Sequence, residues 1–221
     1  MRIPSLSQNA RVMEKATGRA SRPSGIRVAH AALKARRLLK GAPHVALDHD
    51  GTHRATLQLA GVFMPGFVGS LAAGLAGQGV SIVRGFAEAN AFGEWEAEFV
   101  LERTKDRDWP TSADFVRFAD HDVRDYSTAR VALSTGSASR VPDHGGSLLV
   151  IVEGEDQLGF LASVLNRLAQ VALYPVEIAV STTAGRAADR FWLRAPGHRE
   201  PRPEALQAVS MALHPVLHQT S

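Results

Sequence analysis

Leu149-Val150-Ile151-Val152-Glu153-Gly154, with Glu155-Asp156-Gln157-Leu158-Gly159-Phe160 after it, decides the fold, because the chain has already said the same thing about 93 residues earlier. The earlier version runs Leu57-Gln58-Leu59-Ala60-Gly61 and then Phe63-Met64-Pro65-Gly66-Phe67. Gly61 maps to Gly154, Gly66 to Gly159, Phe67 to Phe160 and Leu75 to Leu168; after one deletion Gly93 maps to Gly185 and Phe99 to Phe191. Each copy reads strand, glycine loop, helix, strand, tight turn, strand, helix. With Val131-Ala132-Leu133 as a last strand of the first copy, the order is the split βαβ, ferredoxin-like one, in which helices cover one face of an antiparallel sheet.

The apolar stripes support that order. Phe67, Leu71 and Leu75 fall on one helical face with Val68, Ala72 and Ala76 beside them. Glycines inside that helix each cost roughly 1 kcal/mol relative to alanine, so a close approach to a sheet or another helix is expected to offset them. A second helix is expected from Thr111-Ser112, good N-cap types, with Phe115 and Phe118 as anchors. In the second copy the closing helix spans about Pro203 to Leu213, which leaves little chain for a final strand and implies an incomplete edge. The expected boundaries are a basic arm, helix and loop over 1–53, a first unit over 54–135, a Gly/Ser/Pro-rich linker over 136–146 and a second unit over 147–221.

Composition narrows the classes. The chain has 221 residues, 45% hydrophobic and 21% charged, enough to bury a core. It has no cysteine, which excludes disulfides and thiolate metal sites and fits a reducing compartment, so the cytoplasm is expected. The net charge of +3 hides an asymmetry: the first 40 residues carry ten Lys or Arg against the single acid Glu14. Such an arm suits nucleic acid or an anionic membrane, but a solvated terminus is the commoner meaning, and no nucleic-acid partner is expected. Val28, Ala31, Ala32, Ala35 and Leu38 put a helix over 26–41. Residues 55–83 carry no charge and are long enough to cross a bilayer, yet Pro65 and six glycines break them up, and the matching second stretch contains Glu155, Asp156, Asn166 and Arg167. No membrane span is expected.

On these residues the chain resembles a tandem of ACT domains, small ligand-sensing modules attached to enzymes of amino-acid metabolism. The first loop of that family is Asp-Arg-Pro-Gly-Leu. Met64-Pro65-Gly66-Phe67 and Asp156-Gln157-Leu158-Gly159-Phe160 occupy its place, with Phe63 and Met64 replacing the Asp-Arg pair and Leu158 replacing the proline. Together with Val28-Ala29-His30-Ala31, Pro43-His44-Val45 and the extended Val131 to Val141, the order of pieces over about 27–221 resembles the C-terminal regulatory region of the PII-protein uridylyltransferase and uridylyl-removing enzymes. The resemblance implies an α+β fold of two ferredoxin-like modules, a glutamine-responsive role in nitrogen signalling with a protein partner, and pairing of modules within the chain or as a homodimer. It also implies that the strand starts Val80-Ser81 and Leu173-Tyr174 line the facing side of each ligand site. A helix opened by glycine presents free N–H groups and a positive dipole end, suited to an α-carboxylate. Asp156 can cap that helix or accept a ligand ammonium. Phe63 and Met64 would give an apolar wall, and the second copy is the expected binder.

Catalytic motifs are present only in fragments, and no enzyme, metal site or cofactor is expected. Val45-Ala46-Leu47-Asp48-His49-Asp50-Gly51-Thr52 matches the opening of haloacid-dehalogenase phosphatases, with Asp48 as nucleophile and Asp50 as acid-base. That chemistry also needs a later lysine or arginine and more carboxylates on a long α/β core, whereas here the repeat begins at once. His49-Asp50 and His121-Asp122 lack helical histidine partners for a metal-dependent phosphohydrolase, and Pro215 interrupts the His214/His218 pair. Gly136-Ser137 has no following Asp-x-Asp to hold two metals, and no Ser-His-Asp set is legible. The other expectation is a scaffold whose units have lost ligand binding and only dimerise.

Overall fold

The computed structural model describes residues 43–90, 92–104, 108–121, 131 and 133–213. The basic arm and the expected helix over 26–41 lie outside them, as do Asp122, Ala132, His214 and His218. The described elements are β1 (His44–His49), β2 (Arg54–Val62), α1 (Phe67–Gly77), β3 (Val80–Ala89), β4 (Glu94–Arg103), α2 (Ser112–Ala119), β5 (Leu133–Val141), β6 (Ser147–Glu155), α3 (Phe160–Gln170), β7 (Tyr174–Thr183), β8 (Arg186–Arg194) and α4 (Ala205–Ala212).

All eight strands form one sheet in the order β1-β2-β4-β3-β7-β8-β6-β5, and every pairing between named strands is antiparallel. Inward residues alternate along each strand, as in Ala55, Leu57 and Leu59 on β2 and Leu148, Val150 and Val152 on β6. They meet the buried sides of the helices in one hydrophobic cluster that includes Phe67, Phe115, Phe160 and Val209. The fold is thus mixed α+β, an antiparallel sheet with four described helices on one face.

The two halves repeat closely. Gly66 and Gly159 open α1 and α3 in the same left-handed conformation, with φ 85 and ψ 4 at one and φ 87 and ψ 6 at the other. A Cβ would strain either position. The halves join edge to edge through β3 and β7, where Arg84 to Glu88 pair with Ser181 to Glu177. At the centre Phe86 faces Ala179, its own counterpart one repeat later. A local two-fold axis therefore passes through that pair, perpendicular to the sheet.

The edge strands correct the expected boundaries. The place beside β2 is filled by β1, from the stretch read as a loop with a short strand at Val45-Ala46-Leu47, and the place beside β6 by β5. Leu133 thus belongs to the second half rather than closing the first, and much of the expected linker over 136–146 is strand. The second half has no incomplete edge. In each half the outer strand precedes the β-α-β-β-α core instead of following it, because a short antiparallel hairpin closes less chain than a return crossover. Asp48 sits on β1 opposite Thr56, exposed, and Asp50 donates its N–H to the Arg54 carbonyl in the hairpin turn.

Local signals otherwise act as read. Thr111 caps α2 through a capping box with Asp114, and Phe115 and Phe118 are buried. Gly74 explains its place in α1 by close approach: a Cβ there would lie 2.4 Å from Phe118 Cγ. Gly77, by contrast, has nothing within 4 Å of that position. Gly74→Ala is therefore expected to destabilise by about 1–3 kcal/mol through overpacking, while Gly77→Ala gains up to about 1 kcal/mol. Urea denaturation midpoints of the two variants check the opposite signs.

Candidate functional site

Each glycine-opened helix start approaches the other half, Gly66 under the Tyr174 ring and Gly159 beside Ala76 of α1, and the chemistry of the two places has diverged. In the first, Phe63 occupies the position of Asp156 one repeat later. Phe63 is buried and stacks on Phe67, ring centroids 4.6 Å apart, and Phe67 meets Trp95 edge-on at 4.9 Å. Across the joint the Tyr174 ring lies over Gly66, where a Cβ would meet it at 3.1 Å. What remains between Phe63, Pro65, Trp95, Tyr174 and Arg194 is a crevice of about 40 Å³, little more than one water's share. Met64 is 62% exposed and forms no wall.

The second place is polar. Asp156 follows β6 and is half-buried, its N–H donating to the Gly185 carbonyl at 2.9 Å. Burial is the main cause that raises its carboxyl above the usual carboxylate range; a hydrogen bond with the Thr182 side chain opposes this, and the Glu102 charge adds to it. No side chain caps α3, so the capping role considered for Asp156 is not the one it takes. The Phe160 N–H donates to the Gln157 carbonyl at 2.9 Å, so the anion-binding capacity of this helix start rests on the next N–H groups of its first turn.

Beside it stands a carboxylate that the sequence reading placed on the closing strand of the second copy without giving it a site role. Asp189 on β8 is 3% exposed and points inward with Ala187, Phe191 and Leu193. Its counterpart in the first half is Ala97. Burial pushes the Asp189 carboxyl up to about 7, against the Ser181 N–H that donates to it at 3.3 Å, and the Asp156 charge raises it further. The signal was legible: the alternation of β8 places a charged residue on the apolar face.

Of the other expected site residues, Glu155, Gln157 and Pro65 are exposed, Leu158 and Ser81 are half-buried, and Phe160 is buried in the core. Val80 and Leu173, expected to line the facing side, are 1% and 2% exposed and pack in the core, because the strands begin under the helix ends. Tyr174 alone of the two strand starts on β7 faces a glycine loop.

The structure also assembles a serine, a histidine and a glutamate that the sequence separates. His144 lies 2.9 Å by Nε2 from Glu177 and 3.1 Å by Nδ1 from Ser147 Oγ. Ser147 is fully buried; its hydroxyl donates to the His144 carbonyl and accepts from Arg194 Nε. With the nucleophile oxygen so enclosed, the set pins the turn before β6 rather than meeting a substrate. A concavity of about 550 Å³ lies elsewhere, along Arg140, Glu200, Pro201, Pro203 and Leu206. It is an open surface hollow in which the Arg140 guanidinium already donates to Glu200 and to the Pro201 carbonyl.

No family model and no curated protein matches the chain. Among solved structures it is similar to the aspartate kinase from Synechocystis at 16% identity with a TM-score of 0.39, over 71% of this chain and 26% of that one. It thus spans about a quarter of that protein's length. No described helix is long and apolar enough to cross a membrane.

Asp189 makes a pH prediction. Its folded pKa lies above the unfolded value of 3.8, so between about pH 4 and 7 the folded state holds a proton that the unfolded chain has lost. Stability is fully present below that window and falls as pH rises through it, by up to about 1.4 kcal/mol per unit. Asp189→Asn keeps the bond from Ser181 and is expected to flatten this slope and to be the more stable protein at pH 8. Urea titrations at pH 5 and pH 8 decide it; an unchanged slope would assign the effect to another group.

Proposed function

We propose that residues 43–121 and 131–213 are two ferredoxin-like ACT modules in tandem, paired side by side within one chain, and that the protein is a non-catalytic sensor of a small amino acid. Glutamine is the favoured ligand and nitrogen metabolism the setting, on the sequence resemblance. The observation that carries the reading is the uncapped N-terminus of α3 beside Asp156 and Thr182. Free N–H groups at a helix start take an α-carboxylate, and a half-buried aspartate that is costly to ionise alone is relieved by an ammonium. A free amino acid carries both groups a few bonds apart.

A ligand there acts only by its differential affinity for two arrangements of the chain or its partner. The second reading, a scaffold without ligand, is favoured by the first crevice, where Phe63 and the Tyr174 ring leave about 40 Å³. Calorimetry with the full chain against a panel of amino acids separates the two. One site per chain, with affinity lost at least tenfold in Asp156→Ala, is expected for the sensor. No heat and no melting shift with any amino acid would leave the scaffold.

A further inference from the structure

The helix-free face of the sheet carries a charge pattern that the repeat does not require. On β4 the outward positions hold Glu94, Glu96, Glu98, Val100 and Glu102; the equivalent positions of β8 hold Arg186, Ala188, Arg190, Trp192 and Arg194, so glutamate is exchanged for arginine at the first, middle and last of them. Three glutamates in one half have become three arginines in the other. The neighbouring pairings place these strips symmetrically. Glu98 pairs with Phe86, Phe86 with Ala179 and Ala179 with Arg190, so Glu98 and Arg190 stand in one row across the sheet, equidistant from the local axis. By strand spacing they are about 14 Å apart, too far to neutralise each other directly.

We propose that this face is the interface of a homodimer, with a second copy of the chain seated on it by a two-fold axis parallel to the strands. That operation lays β4 of one copy over β8 of its partner at the same height along the strands. Glu98 then faces Arg190 of the other copy, Glu102 faces Arg186, and Glu94 faces Arg194. A two-fold axis in the sheet plane but across the strands would instead stack glutamates on glutamates and arginines on arginines, so the charges select one geometry. The same placement sets Arg54, next to Glu102 on β2, against Glu155, next to Arg186 on β6. Half-buried Phe86, Val100, Ile151 and Trp192 supply the apolar part of the contact.

The existing bonds of these side chains run within the face: Gln58 donates to Glu98, Arg54 pairs with Glu102, and Asn90 donates to Glu94. Arg194 is committed to the carbonyls of His144, Gly145 and His198, so the central rows carry most of the complementarity. A like-charge row remains where Glu88 pairs with both Glu96 and Glu177, and the same operation sets Glu88 against Glu177 of the other copy, with the basic group of His144 seated on Glu177 in that row. Eight strands at about 4.8 Å and nine residues at about 3.3 Å give a face on the order of 1,100 Å². A stable interface needs about 800 Å² per partner.

Sedimentation equilibrium of the full chain tests this without any amino acid present. The wild type is expected at twice the 23.7 kDa chain mass, weakening as salt rises. Glu98→Arg and Arg190→Glu should each raise the dimer dissociation constant at least tenfold. An equimolar mixture of the two, or the double variant E98R/R190E, should restore it, because every contact again joins opposite charges. Should a reversal unfold the chain by circular dichroism, Glu98→Gln and Arg190→Gln provide the milder pair and should weaken the dimer in the same direction. A monomeric wild type, single variants that associate like wild type, or a double variant and mixture as weak as the singles would overturn the proposal.

Discussion

The five-residue pairing of β3 with β7 is the contact on which the rest of the structure depends. A four-stranded sheet with helices on one side leaves an open inner edge, and each half closes that edge with the other. Because Phe86 meets its own counterpart Ala179, the joint is a two-fold contact written into a single chain. Both places follow from it. The glycine loop before α1 is covered by Tyr174, which begins β7, and Asp156 before α3 is held by Thr182, near its end.

Within this shared frame the copies have been free to differ wherever the backbone does not care. Phe63 and Asp156 occupy one position, Ala97 and Asp189 another, and both changes make the first half apolar and the second half acidic. Stacked Phe63 and Phe67 fill their crevice with close-packed carbon, a gain in burial. The buried Asp189 is a cost to folding that the second half retains, and it is offset by keeping the carboxyl protonated up to about 7. A charged group kept on a core face of a strand is the stronger functional signal of the two. The same logic separates β4 from β8 on the open face, where no packing dictates the residue and yet sign alternates by strand.

The sequence was most legible where one backbone feature has one solution. Gly66 and Gly159 had to be left-handed helix entries, Thr111 a cap, and the stripe of Phe67, Leu71 and Leu75 a buried face. It was least legible in pairing, because which strand fills an edge is a tertiary choice. Ser134 to Val141 is rich in Ser, Gly and Ala rather than in the β-branched residues that mark a strand, since an exposed edge needs little burial. It read as a linker and is an edge strand of the following half. Val80 and Leu173 read as site residues from family analogy, although their apolar character already suited them to the core they occupy. His144, Ser147 and Glu177 could not be linked from spacing at all, since the contact is made by folding a turn onto a strand 30 residues later.

β7 runs from one glycine loop to the acidic site. Tyr174 starts this ten-residue strand at the closed crevice, and Thr182 lies next to its end at the acidic site. A strand paired on both sides moves as a rigid unit more readily than it bends, so what shifts Thr182 is felt at Tyr174. The like-charged Glu88 and Glu177 stand face to face in that same joint, and they make its pairing less favourable than the neighbouring apolar rows. The joint is therefore the place where a modest binding energy at Asp156 has leverage. On the proposed reading, a ligand that neutralises the acidic end would strengthen the pairing between halves, and the covered glycine loop at the other end would register the change.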